Sequence, residues 1–288
     1  MKVIFSRKGF DGASGGVASP IFPNGRFCSL PIPDTRSTIR YDEIRCAVAT
    51  AAPGASARAM GPLVEQLTSG RVSARHGAHL DPDLYAAALP RADGWRPLFG
   101  QAGAAQGHLA RQGVGPGDLF LFYGWFRAVR SAEGRWCYVS AAPDVHMLFG
   151  WLQVDRTIAL ADGAMVPSWA AYHPHCYHSY SGNNTLYVAA ERLRLPGCAV
   201  AAPGAGIFTR MSPRLQLTAP GCSRSIWRLP RWFLPTGERP ALTYHADAGR
   251  WQPKDGHVRL RTVGRGQEFV FDTADYPESL VWIRKIFA

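Results

Sequence analysis

The densest group of chemically capable side chains is His173-Pro174-His175-Cys176-Tyr177-His178, three imidazoles and a thiol in six residues. Imidazole exchanges a proton near neutral pH and ligates divalent metals, so proton transfer, a substrate hydrogen bond and a metal contact are all open to it, with a structural role as the alternative. The His-x-His pair across Pro174 reaches one ion only if extended, and a catalytic metal then needs a third ligand such as His79, Asp81 or His146. A second group, His79-Leu80-Asp81-Pro82-Asp83, sets an imidazole and two carboxylates within five residues, which suits general acid–base work or a divalent cation. The structural alternative is a helix start with Asp81 as cap and Pro82 in the first position. His79, Asp81, Asp83, His173 and His175 are the candidate catalytic residues, and no metal ligand set is assigned.

Residues that would bind rather than react lie elsewhere. Arg7-Lys8-Gly9-Phe10-Asp11-Gly12-Ala13-Ser14-Gly15-Gly16 is a basic, glycine-rich turn, either a simple loop or one that aims N–H groups at a phosphate. It is neither a Walker loop nor a dinucleotide fingerprint, and no cofactor is named by the sequence. Arg7, Lys8 and Asp11 from this turn, Gln101, Gln106 and His108 from the next motif, and Asn183 and Asn184 are the candidate substrate contacts, the amides being suited to a base edge. Arg224-Ser225-Ile226-Trp227-Arg228-Leu229-Pro230-Arg231-Trp232-Phe233 interleaves guanidinium and indole groups, so Arg224, Arg228, Arg231 and Trp232 are assigned to nucleic acid, with irregular core packing as the alternative. Cys28, Cys46, Cys137, Cys176, Cys198 and Cys222 contain no C-x-x-C pair, which argues against a structural zinc site and for reduced thiols.

These groups need a rigid frame. In 288 residues, 47% hydrophobic and 18% charged, a sizeable core is available and disorder is excluded, while 30 Gly and 22 Pro demand many turns and short helices. The expected fold is therefore α+β, a mixed, strand-rich single domain over 1–288 with short peripheral helices. Lys2–Ser6 reads as a buried first strand, Leu119–Phe126, Trp136–Val139 and Met147–Val154 as a meander, and Leu186–Ala190 as a later strand. Gly124 and Gly150, inside strands, mark a bulge, a bend or a close approach to the backbone. The Gly100–Leu109 stretch predicts a short helix ending near Gly113, with Ala105, His108 and Leu109 on one face, and 47–77, rich in Ala, Gly and Ser, a surface excursion with one helical stretch at Leu63–Leu67. Val258–Val263 and Glu268–Asp272 read as a hairpin through Gly264–Gly266. Asp275–Glu278 reads as a capping box opening a terminal helix with Leu280, Ile283 and Phe287 inward.

The Gly-x-Gly-Asp turn and the Phe-Gly-Trp-Leu-Gln-Val strand over 113–160 look like the small β-barrel of PUA-like domains, including their ASCH and EVE relatives. That resemblance implies nucleic-acid binding and an aromatic pocket for a modified base. A second resemblance runs across nearly the whole chain. It rests on Phe5-Ser6-Arg7-Lys8-Gly9-Phe10-Asp11, His79–Asp83, Phe99-Gly100-Gln101 through Gln106-Gly107-His108 and Gly117-Asp118-Leu119-Phe120. Phe149–Val154, His173-Pro174-His175, Asn183–Tyr187 and Arg265-Gly266-Gln267-Glu268-Phe269 extend it. In these motifs the chain resembles the nucleotide modification associated domain 3 family, which implies a role near DNA base hypermodification in bacterial or phage systems.

The formal net charge of +11 favours polyanionic or phosphorylated partners. No membrane span or signal peptide is visible, so the expected location is cytoplasmic. The expected function is modification of a base or nucleotide by His/Asp acid–base chemistry. A non-catalytic reader of a modified or flipped base, and a metal-dependent RNA-directed enzyme or nuclease using His79, Asp81 and Asp83, are the alternatives.

Overall fold

The computed structural model describes residues 1–49, 58–160, 164–177, 182–197, 199–264 and 268–288; His178, Cys198 and the 265–267 part of the last motif lie outside the described residues. The strands are β1 (Lys2–Arg7), β2 (Ser19–Ile21), β3 (Leu98–Ala102), β4 (Leu119–Ala132), β5 (Arg135–Tyr138) and β6 (Val145–Ala159), followed by β7 (Asn184–Ala189), β8 (Ala205–Ile207), β9 (Ile226–Pro230), β10 (Trp251–Lys254), β11 (His257–Arg261) and β12 (Glu268–Asp272). The α-helices are α1 (Met60–Leu67), α2 (Gly103–Arg111), α3 (Pro174–Tyr177) and α4 (Glu278–Ile286). This is the expected strand-rich α+β fold with a C-terminal helix. No described helix is long and apolar enough to cross a membrane.

Leu119–Phe126 is apolar without alternation, the pattern of a strand covered on both faces. It forms the first half of β4, at the centre of a sheet ordered β12-β1-β4-β6-β7-β3, with β1 parallel to β4 and β6 antiparallel to it. On one face Phe99, Phe120, Phe122 and Tyr187 pack ring to ring at centroid distances from 5.0 Å. On the other, Phe5 and Tyr123 meet Trp227 at 5.6 and 4.9 Å. Trp227 belongs to a second, three-stranded antiparallel sheet, β10-β11-β9, whose apolar side caps the first. The strand glycines behave as expected: a Cβ on Gly124 would lie 2.9 Å from the Lys8 carbonyl, and one on Gly150 2.5 Å from Leu84.

Four sequence expectations need correction. The barrel is an open, curled sheet among the described residues. Its terminal strands β12 and β3 share no ladder; Asp83 exchanges backbone hydrogen bonds of 2.9 and 3.1 Å with Leu98 at the outer edge of β3, and Gln101 Nε2 donates across the gap to Glu268 Oε1. The C-terminal hairpin does not form. β11 alternates and pairs with β9 and β10 at the surface, whereas β12 is almost wholly buried and pairs with β1. No helix opens at Asp81, because Asp81 and Asp83 both spend their bonding capacity on β3 and its surroundings. Nor does Asp275 cap α4: Pro277 occupies the cap position, with no side-chain cap bond, while Ile283 is buried as expected.

The 47–77 stretch, read as a surface excursion, contributes Val48, Met60, Leu63, Val64, Leu67 and Val72 to a second core with Phe10, Tyr41 and Trp136. Met60, Leu63, Val64 and Leu67 recur at helical spacing, so α1 has an apolar stripe to bury. The Gln66 amide fixes it by accepting from the Trp136 N–H at 2.8 Å.

Candidate functional site

Two of the sequence motifs meet at the edge of β3. The Asp81 carboxylate is held by the Gly100 N–H at 2.7 Å and lies 3.3 Å from His173 Nε2 and 3.9 Å from His175 Nε2. His175 reaches this position because Gly100 has no side chain: a Cβ there would sit 2.3 Å from the imidazole. His79, His173 and His175 surround the carboxylate, with ring centroids of the first and last 5.6 Å apart. All but His79 are buried, and its side chain retains 13% exposure at the rim.

Hydrogen bonds set the ring tautomers. Asn184 Nδ2 donates to the His175 carbonyl at 2.9 Å, which orients the amide so that its Oδ1 accepts from His175 Nδ1 at 2.7 Å. The neutral ring therefore carries its lone pair on Nε2, towards Asp81. His79 Nδ1 lies 2.9 Å from Asp34 Oδ2, an acceptor, so the same rule gives His79 its lone pair on Nε2. His173 is opposite in sense: its Nδ1 accepts from the His175 N–H at 3.4 Å, leaving the proton for Nε2 beside Asp81. Burial disfavours the Asp81 charge, yet the His173 contact, with the Lys8 charge further off, outweighs it and holds the carboxyl below its ordinary range. Burial pushes His175 down to about 4, against the pull of Asp81, so it is neutral at pH 7.

A second polar group lies at the β12–β3 seam. Lys8 Nζ is 3.3 Å from Glu268 Oε1 and 4.6 Å above the Phe99 ring, and Gln101 donates to the same carboxylate oxygen. Burial raises the Glu268 carboxyl while Lys8, Ser6 and Gln101 pull it back. Glu268 Oε2 is buried with no hydrogen-bond partner. Gly100 and Gln101 thus serve the two groups from opposite faces of one strand. A largely apolar cavity next to them is lined by Gly9, Asp81, Tyr85, Phe149 and Phe208 among others, so the first loop and the His79–Asp83 motif share one wall.

Other sequence candidates are engaged elsewhere. Asp83 forms a bidentate pair with Arg91 at 2.6 and 2.7 Å and also takes the Tyr172 hydroxyl, a buried pair of the kind whose disruption costs about 3–5 kcal/mol. His146 accepts from the Trp227 indole at 3.0 Å within the core. Asp11 Oδ1 accepts from the N–H groups of Ala13 and Ser14 at 2.8 and 2.7 Å and so closes its own loop. The Arg7 side chain extends to the Tyr123 and His146 face, where its Nε is buried without a partner. Gln106 accepts from the Tyr187 hydroxyl at 2.9 Å, and His108 stands 3.2 Å from Thr243 Oγ1. Asn183 is exposed. Of the aromatic–basic stretch, Trp227 is core, Trp232 stacks on Phe233 at 4.0 Å, Arg224 covers the Trp125 ring at 4.1 Å, and Arg228 and Arg231 are exposed.

Two residues of the site escaped the sequence reading. Asp34 stands 45 positions before its partner in an ordinary Pro-Asp-Thr turn and gives no local signal. Glu268 does carry one: it is a lone acid opening an apolar strand, within a motif already quoted. No curated protein and no solved structure matches the chain. A family model described as nucleotide modification associated domain 3 matches residues 2–272, almost the full length, and its span takes in every residue of both polar groups. By that match the chain belongs to the nucleotide modification associated domain 3 family.

Proposed function

We propose that this protein modifies a nucleotide, or a base within nucleic acid, in a DNA hypermodification or phage-related system, and that the His79–Asp81–His173–His175 cluster handles the proton. The observation that carries this reading is convergence: residues from Asp34, the 79–81 motif, Gly100, the 173–175 motif and Asn184 build one buried cluster with assigned ring tautomers. Buried imidazoles and carboxylates lose hydration, and several of them drawn together from separate motifs support a functional rather than a packing role. The family's description supplies the substrate class. His79, backed by Asp34 and standing at the rim, is the group placed to exchange a proton with a substrate. Asp81 is the fixed anion, and the adjacent cavity with Tyr85, Phe149 and Phe208 suits a base ring.

Nucleoside analysis by mass spectrometry of DNA and nucleotide pools from cells carrying the wild-type chain, His79→Ala or Asp81→Asn tests it. A modified nucleoside present with wild type and lost with both variants is expected; identical profiles overturn the enzymatic reading. The aromatic part of the cavity favours a second reading, a reader of a flipped base. A reader binds base-containing ligands with equal affinity in wild type and His79→Ala and changes no nucleoside.

A further inference from the structure

We infer that His79, Asp81 and His175 bind one divalent first-row transition metal, leaving coordination positions open toward the rim. One ligand atom from each lies within 4.8 Å of the others. Two imidazoles and one carboxylate are the donor set of open, reactive metal centres and suit Zn²⁺ or Fe²⁺ rather than Mg²⁺ or Ca²⁺, which prefer oxygen.

The groups around the three ligands point the same way. A ligating histidine needs its lone pair on one nitrogen and its other N–H tied to a carboxylate or carbonyl oxygen. His79 has that arrangement through Asp34 at 2.9 Å, and His175 has it through the amide oxygen of Asn184 at 2.7 Å. A ligating carboxylate must also be fixed, and the Gly100 N–H does this for Asp81 at 2.7 Å. His173 Nε2, buried 3.3 Å from Asp81, backs the carboxylate. Metal–ligand bonds of about 2.1 Å require donor atoms about 3–3.5 Å apart, so the site contracts by about an ångström on loading. With a cation held there, His79 Nε2 would be a ligand, and a metal-bound water would supply the proton exchange that the metal-free cluster leaves to His79.

This inference uses the same cluster as the proposed function, but its readout is metal affinity and not nucleoside chemistry, so the two fail separately. The full-length protein, stripped with chelator, is titrated with Zn²⁺ against a chromophoric competitor and with Co²⁺ by visible absorption. One Zn²⁺ per chain with submicromolar affinity and Co²⁺ d–d bands are expected. Asp34→Asn, which keeps the shape of its side chain, should weaken Zn²⁺ by about 10- to 100-fold. His79→Ala, at the rim and so tolerated by the fold, should abolish the bands. Cys28→Ser, outside the ligand set, should change neither. Absence of stoichiometric binding overturns the inference, as does binding that survives His79→Ala or disappears with Cys28→Ser.

Discussion

Among the described residues burial lowers the pKa of four imidazoles, His108 and, much further, His146, His175 and His245. Loss of hydration pushes His146 down to about 3, and His175 and His245 each down to about 4, from an ordinary 6.5. When a histidine is harder to protonate folded than unfolded, the unfolded chain binds more protons between the two values, and stability rises with pH across that window. Their contribution is therefore complete above about pH 6.5 and is lost as the pH falls toward 4. Asp81, held low when folded, adds its own loss below about 4, the ordinary carboxylate range. Glu268 acts in the opposite sense, since a raised carboxyl favours the folded state only while protonated. The histidines outnumber it, so the thermal midpoint should fall steadily from pH 6.5 to 4, and His146→Phe should flatten part of that fall. A midpoint unchanged over this interval would show that the imidazoles are not held neutral. Residue types and spacing alone made His79, Asp81, His173 and His175 legible, since each stands in a dense motif. Their orienting partners Asp34 and Asn184 act on them only because the chain folds back, and Asp34 carried no signal at all.

At the scale of elements, β3 is the part on which both polar groups depend. Its five residues, Leu98-Phe99-Gly100-Gln101-Ala102, alternate so that Phe99 and Gln101 face the aromatic core and Glu268, while Gly100 faces His175 and Asp81. A methyl at position 100 would lie 2.3 Å from the His175 ring, and the ring is clamped by Asn184 on its far side, so it has nowhere to move. Gly100→Ala should therefore cost about 1–3 kcal/mol, the range for overpacking a closed site, and should abolish nucleoside modification. Urea denaturation checks the first and nucleoside analysis the second; a variant with wild-type stability would mean that the ring does not lie on the strand. The sequence made strands β1, β4, β6 and β7 readable because each is an apolar run bounded by turn residues. It misled at β11 and β12, where two strands separated by a glycine turn look like a hairpin. What decides their pairing is which faces are covered: β12 is apolar on both sides and enters the large sheet, whereas β11 alternates and remains at the surface. Coverage by distant elements is a property that a local pattern does not contain.

For the whole molecule the +11 charge matters through where it is concentrated. Lys2, Lys8, Lys254 and Lys285 are the only lysines in the chain, so most of the excess is guanidinium, which forks onto phosphate. The small sheet separates its residues by side: Trp227, Leu229, Val258 and Leu260 are buried against the core, and the alternate positions Arg228, Arg259 and Arg261 occupy the other face. Arg228 stands directly opposite Arg259 in the β9–β11 register, a like-charge pair that is unfavourable without a counterion. Arg231 extends the same surface, its guanidinium 3.3 Å from the Lys254 carbonyl. Trp227 is buried in the core and Trp232 stacks on Phe233, so attraction to nucleic acid at this face should be mainly electrostatic and independent of sequence. Binding to single- or double-stranded DNA should weaken linearly on a plot of log K against log salt. Replacing Arg228 and Arg259 by Ala should reduce the slope by about 0.7–0.9 for each phosphate that the variant no longer neutralises, with the midpoint of unfolding unchanged or raised by relief of their repulsion. His79→Ala, which leaves these arginines in place, should not alter the slope. Affinity that is insensitive to salt, or a slope unaffected by the double variant, would remove the small sheet from the binding surface and leave the cavity beside Asp81 as the place where the substrate is held.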